Sequence, residues 1–473
     1  MKIQSADTAL DPQAHIYQTK SGPDSRYVYS RFNVVVDSGD GRNVIYNSAS
    51  HILSVLSPDE TKFYFEMPHK TGQELSPDEH GILDHLLINN FAVPADIDEL
   101  DPVRERYMQH RTSAEGLTLT IAPTLNCNFN CRYCYQGIDK DQLVMSPRTQ
   151  EKTISYIQQL TQPGSGIKSL SMTWFGGEPL LGLSAVKYIS DRIIAWCDRR
   201  KLGYSAMMIT NGYLLNLKTI GELYVRKVRT IQVTLDGDRE MHNRIRYLKH
   251  AESPTFDHIV ENIKLYSKEY PIQTNIRVNL DQNNAGSADK LIEQLAEAGL
   301  GHKNISIYFA PIVSSTTACR SVCDDTLDLQ QYAEIEYALF LACEQAGFVK
   351  ASLPPRFMSV CGAAKQHGSV IVANGDIHKC WETVSFSNRR TGHLSHASSP
   401  DDMANDALWN DFNPFNIPEC RNCEILPNCA GFCAYKFIYN SEFAGKSGHL
   451  PCPSLKFNIR NKVLHYAKSH QML

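Results

Sequence analysis

From residue 117 onward, short apolar runs alternate with longer stretches in which apolar residues recur every three or four positions. Runs at 117–122 and 169–175, and others ending in Thr210-Asn211-Gly212, Thr234-Leu235-Asp236-Gly237, Asn279 and Pro311, read as strands. The stretches at 147–160, 184–200, 257–270 and 288–298 read as helices. Ser146 followed by Pro147 is an N-cap with a first-turn proline, and Gly299 is placed to end the last helix. Strands alternating with helices predict a parallel α/β sheet. Six strands are too few to close an eight-stranded barrel. The expectation is therefore an incomplete barrel over 117–327, with polar loops gathered at the carboxyl ends of its strands and an open side that admits a bulky substrate.

Ahead of the barrel the pattern changes. Residues 27–36 read as a strand, Ser38-Gly39-Asp40-Gly41 as a turn and 43–46 as the partner strand, with helices at 49–56 and 77–89. These place a small α+β module at residues 1–96. The charged stretch 98–111, interrupted by Pro102, reads as a linker or connecting helix within 97–116. A helical connection is expected at 328–360, before a cysteine-rich region at 361–473. The 473 residues suggest roughly three domains. A net charge of -4 with no basic tract argues against nucleic acid as the main partner. No apolar run is long enough for a membrane helix, and 1–12 lacks the apolar core of a signal peptide, so the cytoplasm is expected.

Ten of the 14 cysteines fall into two spaced sets. Cys127, Cys131 and Cys134 follow C-x3-C-x2-C, while Cys361, Cys380, Cys420, Cys423, Cys429, Cys433 and Cys452 form a C-terminal array. Thiolates at that density, without an export signal, point to iron–sulfur clusters or zinc rather than disulfides. The first spacing also fits one face of a buried helix, but Asn126, Asn128 and Asn130 interleave it and favour a loop leaving the preceding strand. With three thiolates where a closed site uses four, a cubane cluster there keeps one iron free. Seven cysteines do not divide into two zinc sites without a histidine. Cys197 and Cys343 lie in apolar helical stretches and read as ordinary buried residues.

Cys127-x3-Cys131-x2-Cys134, with Tyr133 just before the last cysteine, resembles the signature of the radical S-adenosylmethionine (radical SAM) enzymes. The resemblance extends by motif over about 117–453. It implies a 4Fe-4S cluster whose open iron chelates S-adenosylmethionine, with Tyr133 near the adenine. Gly176-Gly177-Glu178-Pro179 follows the next strand. Its glycines let backbone approach a ligand and Glu178 accepts hydrogen bonds from an ammonium, similar to the family's motif for the cofactor's amino group. By similar position, Asn211, Thr234, Asp236, Arg246 and Asn279 are implied contacts to cofactor or substrate; strand-end caps and surface groups are the alternative.

The C-terminal array, including Gly375 before Cys380, resembles the SPASM domain, which holds two auxiliary iron–sulfur clusters. Carried over position by position, Cys361, Cys380 and Cys433 bind the first and Cys420, Cys423, Cys429 and Cys452 the second. The first is one ligand short: His367, Cys319 or Cys323 completes it, or it stays open. The fold implied is a partial (β/α)6 TIM-type barrel with a small amino-terminal α+β domain and a carboxy-terminal SPASM domain.

The resemblance further implies three 4Fe-4S clusters and a reducing partner such as flavodoxin or ferredoxin. The expected activity is that of a peptide maturase. A 5'-deoxyadenosyl radical takes hydrogen from a ribosomally made precursor peptide, and an oxidative cross-link follows, a carbon–carbon cyclophane or a thioether. Peptide maturases often carry an amino-terminal winged-helix domain that binds the leader as an added strand; residues 1–96 either do this or flank the barrel structurally. One alternative is an anaerobic sulfatase-maturating enzyme forming formylglycine, although Trp381 and then Glu382 follow Cys380 where such enzymes have aspartate. Glu382 is a candidate catalytic base. The alternative from another class is an iron–sulfur electron carrier without radical chemistry.

Overall fold

Six parallel strands, Gly116–Ala122, Ser169–Trp174, Gly203–Thr210, Val228–Thr234, Gln273–Leu280 and Ile305–Pro311, lie side by side in chain order. The computed structural model describes residues 3–5, 25–137, 142–250, 253–302, 304–313, 324–439 and 451–473. The strands alternate their side chains between two environments, as the period of two requires. Leu117, Leu119, Ile121, Met172, Ile231, Val233, Ile276 and Val278 face outward and are buried beneath the helices. The helices Pro147–Leu160, Leu183–Arg200, Phe256–Glu269 and Ala288–Glu297 bring Ile154, Ile157, Val186, Ile189, Ile259, Ile263 and Leu291 onto that face. Ser146 caps the first of these through Thr149 N, and Gly299, at φ +78°, ends the last with Leu300 N donating to Leu295 O.

The inner face is polar. Ser205 Oγ donates to Ser171 Oγ at 3.3 Å, and Ser306 Oγ to Asn275 Oδ1 at 2.9 Å. The sheet stays open, and its first strand is extended by the C-terminal region. Gly368–Val372 pairs parallel to Gly116–Ala122, followed by antiparallel Asp376–His378 and Gly392–His393. The cysteine-rich region therefore continues the barrel's own sheet. Gly375, at φ +98°, makes the turn between Gly368–Val372 and Asp376–His378.

The amino-terminal module differs from expectation at two elements. Residues 49–56 form no helix; Ile52–Leu56 is a strand, paired antiparallel to Asn43–Asn47, which pairs with Asn33–Asp37. Asn47 explains the difference: its Oδ1 accepts from Ala49 N and Ser50 N, and His51 at φ 60° completes the reversal. The strand is buried along its whole length because helices cover one side and the C-terminal helix the other, which removes the alternation that marks a strand. The expected strand at 27–36 is likewise two, Tyr27–Tyr29 and Asn33–Asp37, separated where Glu99 accepts from Ser30 Oγ and Arg31 N.

Two helices follow the three-stranded meander. Pro58–Glu66 starts at a Ser57 capping box, and Pro77–Ile88 at a Ser76 capping box. Leu100–Thr112 is a packed helix whose buried Arg111 donates to the carbonyls of Trp409, Asn410 and Phe412. Leu329–Gln345 and Leu455–Ser469 pack together, Asn458 bonding Ala333 O and Glu336.

Candidate active site

The three cysteines of the first set lie on the loop that leaves the first strand. Asn126 Oδ1 accepts from Cys127 N at 2.9 Å, Phe129 N points at Cys127 Sγ at 3.4 Å, and Cys134 N turns back to Cys131 O at 3.2 Å. Among the described residues no helix forms between Ala122 and Pro147, so the asparagines hold a loop as the sequence suggests. All three thiols are half-buried and free of disulfides. Burial pushes the Cys131 thiol up to about 12, with the neighbouring Cys127, Cys134 and Asp236 adding to the effect and Arg246 opposing it.

The Gly-Gly-Glu-Pro loop packs backbone to backbone against this loop. Gly177 N donates to Thr124 O at 3.2 Å and Glu178 N to Asn126 O at 2.8 Å. A Cβ on Gly176 would lie 2.1 Å from Thr124 O, and one on Gly177 2.2 Å from Leu125 O. The glycines are required by contact between the loops themselves. Glu178 is fully buried. Its carboxylate accepts from Leu180 N at 3.1 Å, Asn211 N at 2.8 Å and the Thr210 hydroxyl, and burial raises its pKa. It thus ties the loop to the end of the third strand. Asn211 Nδ2 in turn donates to Asn128 Oδ1 at 2.7 Å and lies 3.9 Å from Cys127 Sγ.

A second cluster gathers Tyr133, Asp236, Arg246 and Asn279, four residues from four segments. The Tyr133 hydroxyl bonds Asp236 Oδ2 and accepts from Arg246 Nη1, while Asn279 Nδ2 reaches that hydroxyl at 3.3 Å and Asp236 Oδ1 at 3.1 Å. Arg246 and Asp236 form a buried ion pair at 3.4 Å. Burial disfavours the Arg246 charge, but Cys131, Tyr133 and Asp236 overcome this and raise its hold on its proton. Burial, followed by Arg246, lowers the pKa of His242, and its Nδ1 accepts from Asp236 N at 3.2 Å. Thr234 closes the fourth strand in register with Arg277.

The C-terminal cysteines sort into two groups. The fields acting on Cys380 and Cys433 place Cys361, Cys380 and Cys433 together with Glu382; those on Cys420, Cys429 and Cys452 place these three with Cys423. A cavity of about 350 Å³ is bordered by Cys361, Cys429, Ala364 and Phe432. His367 gives its carbonyl to Thr118 N, and Cys319 and Cys323 lie outside the described residues. Among the described residues no three His, Cys, Asp or Glu side chains converge as a single metal ion requires. A multi-iron cluster takes one thiolate on each of several irons and fits such spaced thiols.

Three contributors were not singled out by pattern. Trp381 hydrogen-bonds Thr120 Oγ1 at 3.0 Å and stacks on Phe175 with centroids 5.0 Å apart, which seats the turn after Cys380 on the barrel's inner face. Tyr135 is half-buried near Cys134, Cys380 and Glu382, so it stands between the two cysteine regions. Arg277 lies on the inner face of the fifth strand, and its intermediate place in an alternating polar strand was the available signal.

Residues 121–295 match the Radical SAM superfamily. A radical SAM cyclopropyl synthase, TigE, from Paramaledivibacter caminithermalis is 22% identical over 444 residues, 82% of this chain and 83% of that protein. A serine-type anaerobic sulfatase-maturating enzyme from Klebsiella aerogenes is 26% identical over 201 residues, 41% of this chain and 46% of that protein. The structure of native anSMEcpe with bound AdoMet and Cp18Cys peptide has the same fold, with a TM-score of 0.55 at 18% identity over 76% of this chain and 98% of that one. Residues 121–295 thus carry a radical SAM domain, and it contains the first cysteine set, the Gly-Gly-Glu loop and the Tyr133 cluster.

Proposed function

We propose that the chain is a peptide maturase that removes hydrogen from a ribosomally made precursor and closes an oxidative cross-link. The observation that carries this reading is the placement of a second cysteine group, Cys361, Cys380 and Cys433, against the open inner face through Trp381. When bound to a cluster on Cys127, Cys131 and Cys134, S-adenosylmethionine supplies a 5'-deoxyadenosyl radical. The protein's own residues hold the parts. Asn211 fixes the cysteine loop, Gly176 and Gly177 bring backbone beside it, and Tyr133, Thr234, Asp236, Arg246 and Asn279 form the wall expected to meet the nucleoside. Glu178 supports this wall from behind.

Loss of one hydrogen atom from the peptide leaves a radical; bond closure then releases a proton and one electron. Cys361, Cys380 and Cys433 would hold a cluster able to accept that electron, Cys420, Cys423, Cys429 and Cys452 would hold a second, and a flavodoxin or ferredoxin would supply the reducing electron. A carbon–carbon bond agrees with the name of the Paramaledivibacter relative. A four-stranded antiparallel sheet ahead of two helices, in the order Ile3–Ser5, Ile52–Leu56, Asn43–Asn47 and Asn33–Asp37 with the last at an edge, supports leader binding by residues 1–96 as an added strand. Formylglycine formation is the second reading. Glu382, beside Cys380 and Tyr135, favours it as a base where sulfatase maturases have aspartate.

The test is anaerobic reconstitution with dithionite and S-adenosylmethionine. The wild type is expected to form 5'-deoxyadenosine, and the triple variant Cys127→Ala, Cys131→Ala, Cys134→Ala to form none. Mass spectrometry of the genomically adjacent short peptide after co-expression is expected to show a loss of two hydrogens. Cleavage surviving in the triple variant ends the cluster assignment, and an unchanged peptide mass ends the cross-link assignment.

A further inference from the structure

The polar inner face carries a cation that forms no ion pair among the described residues. Arg277 lies between Thr234 and Tyr308 in the sheet register, on the alternate face to the buried Ile276 and Val278. Its Nε donates to Asn279 Oδ1 at 2.7 Å. Its Nη1 lies 3.4 Å from the Tyr308 hydroxyl, which itself donates to Gln232 Oε1 at 2.7 Å. Among the described residues Arg277 forms no ion pair, whereas Arg246 nearby is paired with Asp236. A guanidinium stays protonated; burial disfavours the Arg277 charge, and Tyr308, Tyr133 and Asp236 nearby favour it without any carboxylate of the described residues bonding it directly. The Nη2 edge is unused by these bonds. A fork of this kind, fixed at Nε and open at its end, matches a carboxylate with two parallel hydrogen bonds.

The position is also informative. Asn279, which holds Nε, touches Tyr133 and Asp236, so the guanidinium is one side chain away from the proposed nucleoside wall. The strand that leads to the cysteine loop is four strands away in the sheet. We propose that Arg277 is a specificity-determining residue that anchors a carboxylate of the substrate, from an acidic side chain or a chain terminus. This rests on the reading of a peptide substrate above.

The test uses reconstituted full-length enzyme with S-adenosylmethionine bound and four probes. They are acetyl-Gly-Glu-Gly-amide, acetyl-Gly-Gln-Gly-amide, acetyl-Gly-Gly-Gly as the free acid, and the amide of the last. Binding is read by calorimetry and by the fluorescence of the half-exposed Trp381. At least one acid is expected to bind roughly tenfold or more tightly than its neutral counterpart. The preference falls to near one in Arg277→Gln and is partly kept in Arg277→Lys. The glutamate pair and the terminal pair separate the two sources.

Equal binding within both pairs overturns the anchor, as does a preference that survives Arg277→Gln. So does a loss of S-adenosylmethionine affinity as large as the loss of peptide affinity. A wild type that binds none of the four overturns the peptide reading together with the anchor, while 5'-deoxyadenosine formation without peptide reports the radical chemistry separately. Thermal unfolding and iron content establish that the variants are folded. If Arg277→Gln does not fold, protection of wild-type Arg277 from phenylglyoxal replaces it: the acids are expected to protect and their neutral counterparts not, and equal protection overturns the proposal.

Discussion

Gly177 and Glu178 stand side by side and act by different physics. Glu178 has its carboxylate turned inward onto Thr210, Leu180 N and Asn211 N, so it orders two strand ends. Gly177 is constrained by space: a Cβ there would meet Leu125 O at 2.2 Å and Asn126 O at 2.3 Å, both backbone atoms of the cysteine loop. Gly177→Ala therefore forces the loops apart. The expected cost is about 1–3 kcal/mol of stability, with reduced iron incorporation at the first cysteine set, read by urea unfolding and by iron content after reconstitution. Unchanged values for both would show that the loops part freely. The Gly-Gly pair was legible as a place where backbone comes close, but its immediate partner, another backbone segment, was not, because a glycine does not say what approaches it.

The turn Trp381–Thr383 joins the C-terminal cysteines to the barrel. Its indole makes one hydrogen bond, to Thr120, and one stack, on Phe175. Together these contribute about 1–3 kcal/mol, so Trp381→Ala is expected to lower stability by that amount and Trp381→Phe to recover the share due to the stack. Denaturant midpoints of the two variants check this; equal losses would deny the stack any role. Among the other elements, the six barrel strands and the four long helices were readable to within a residue or two, since each has one apolar face and capping residues such as Ser146 and Gly299, whereas the short helices Leu217–Val225 and Arg239–Ile245 were not read. The strand Ile52–Leu56 was not. Covered on both sides, it lost its alternation and imitated a short helix.

At the scale of the whole molecule, the two ends of the chain pack together. Val34, Val44, Tyr46, Leu53 and Val55 from the amino-terminal sheet share a core with Ile459, Val463 and Tyr466 of the last helix. Tyr46 adds a polar tie: its hydroxyl donates to Pro354 O at 2.6 Å and accepts from Asn428 Nδ2 at 3.1 Å. Tyr46→Phe leaves those buried groups short of one partner, and a loss of about 1–3 kcal/mol is expected. Calorimetry of the full chain tests it; a melting temperature equal to that of the wild type would show the tie to be neutral. The amino-terminal module is thereby seated on the C-terminal region as well as ahead of the barrel.

The sequence by itself determined the local periodicity of the barrel, the loop character of Cys127 to Cys134 and the set of residues with chemistry to offer, because spacing, capping and turn preference act over a few positions. The tertiary structure alone decided which of them meet. It drew Tyr133, Asp236, Arg246 and Asn279 into one network, enclosed Glu178, divided seven cysteines into two groups and left Arg277 on the inner face with no ion pair among the described residues. Contacts between residues a hundred positions apart depend on strand order and burial, which no local pattern encodes.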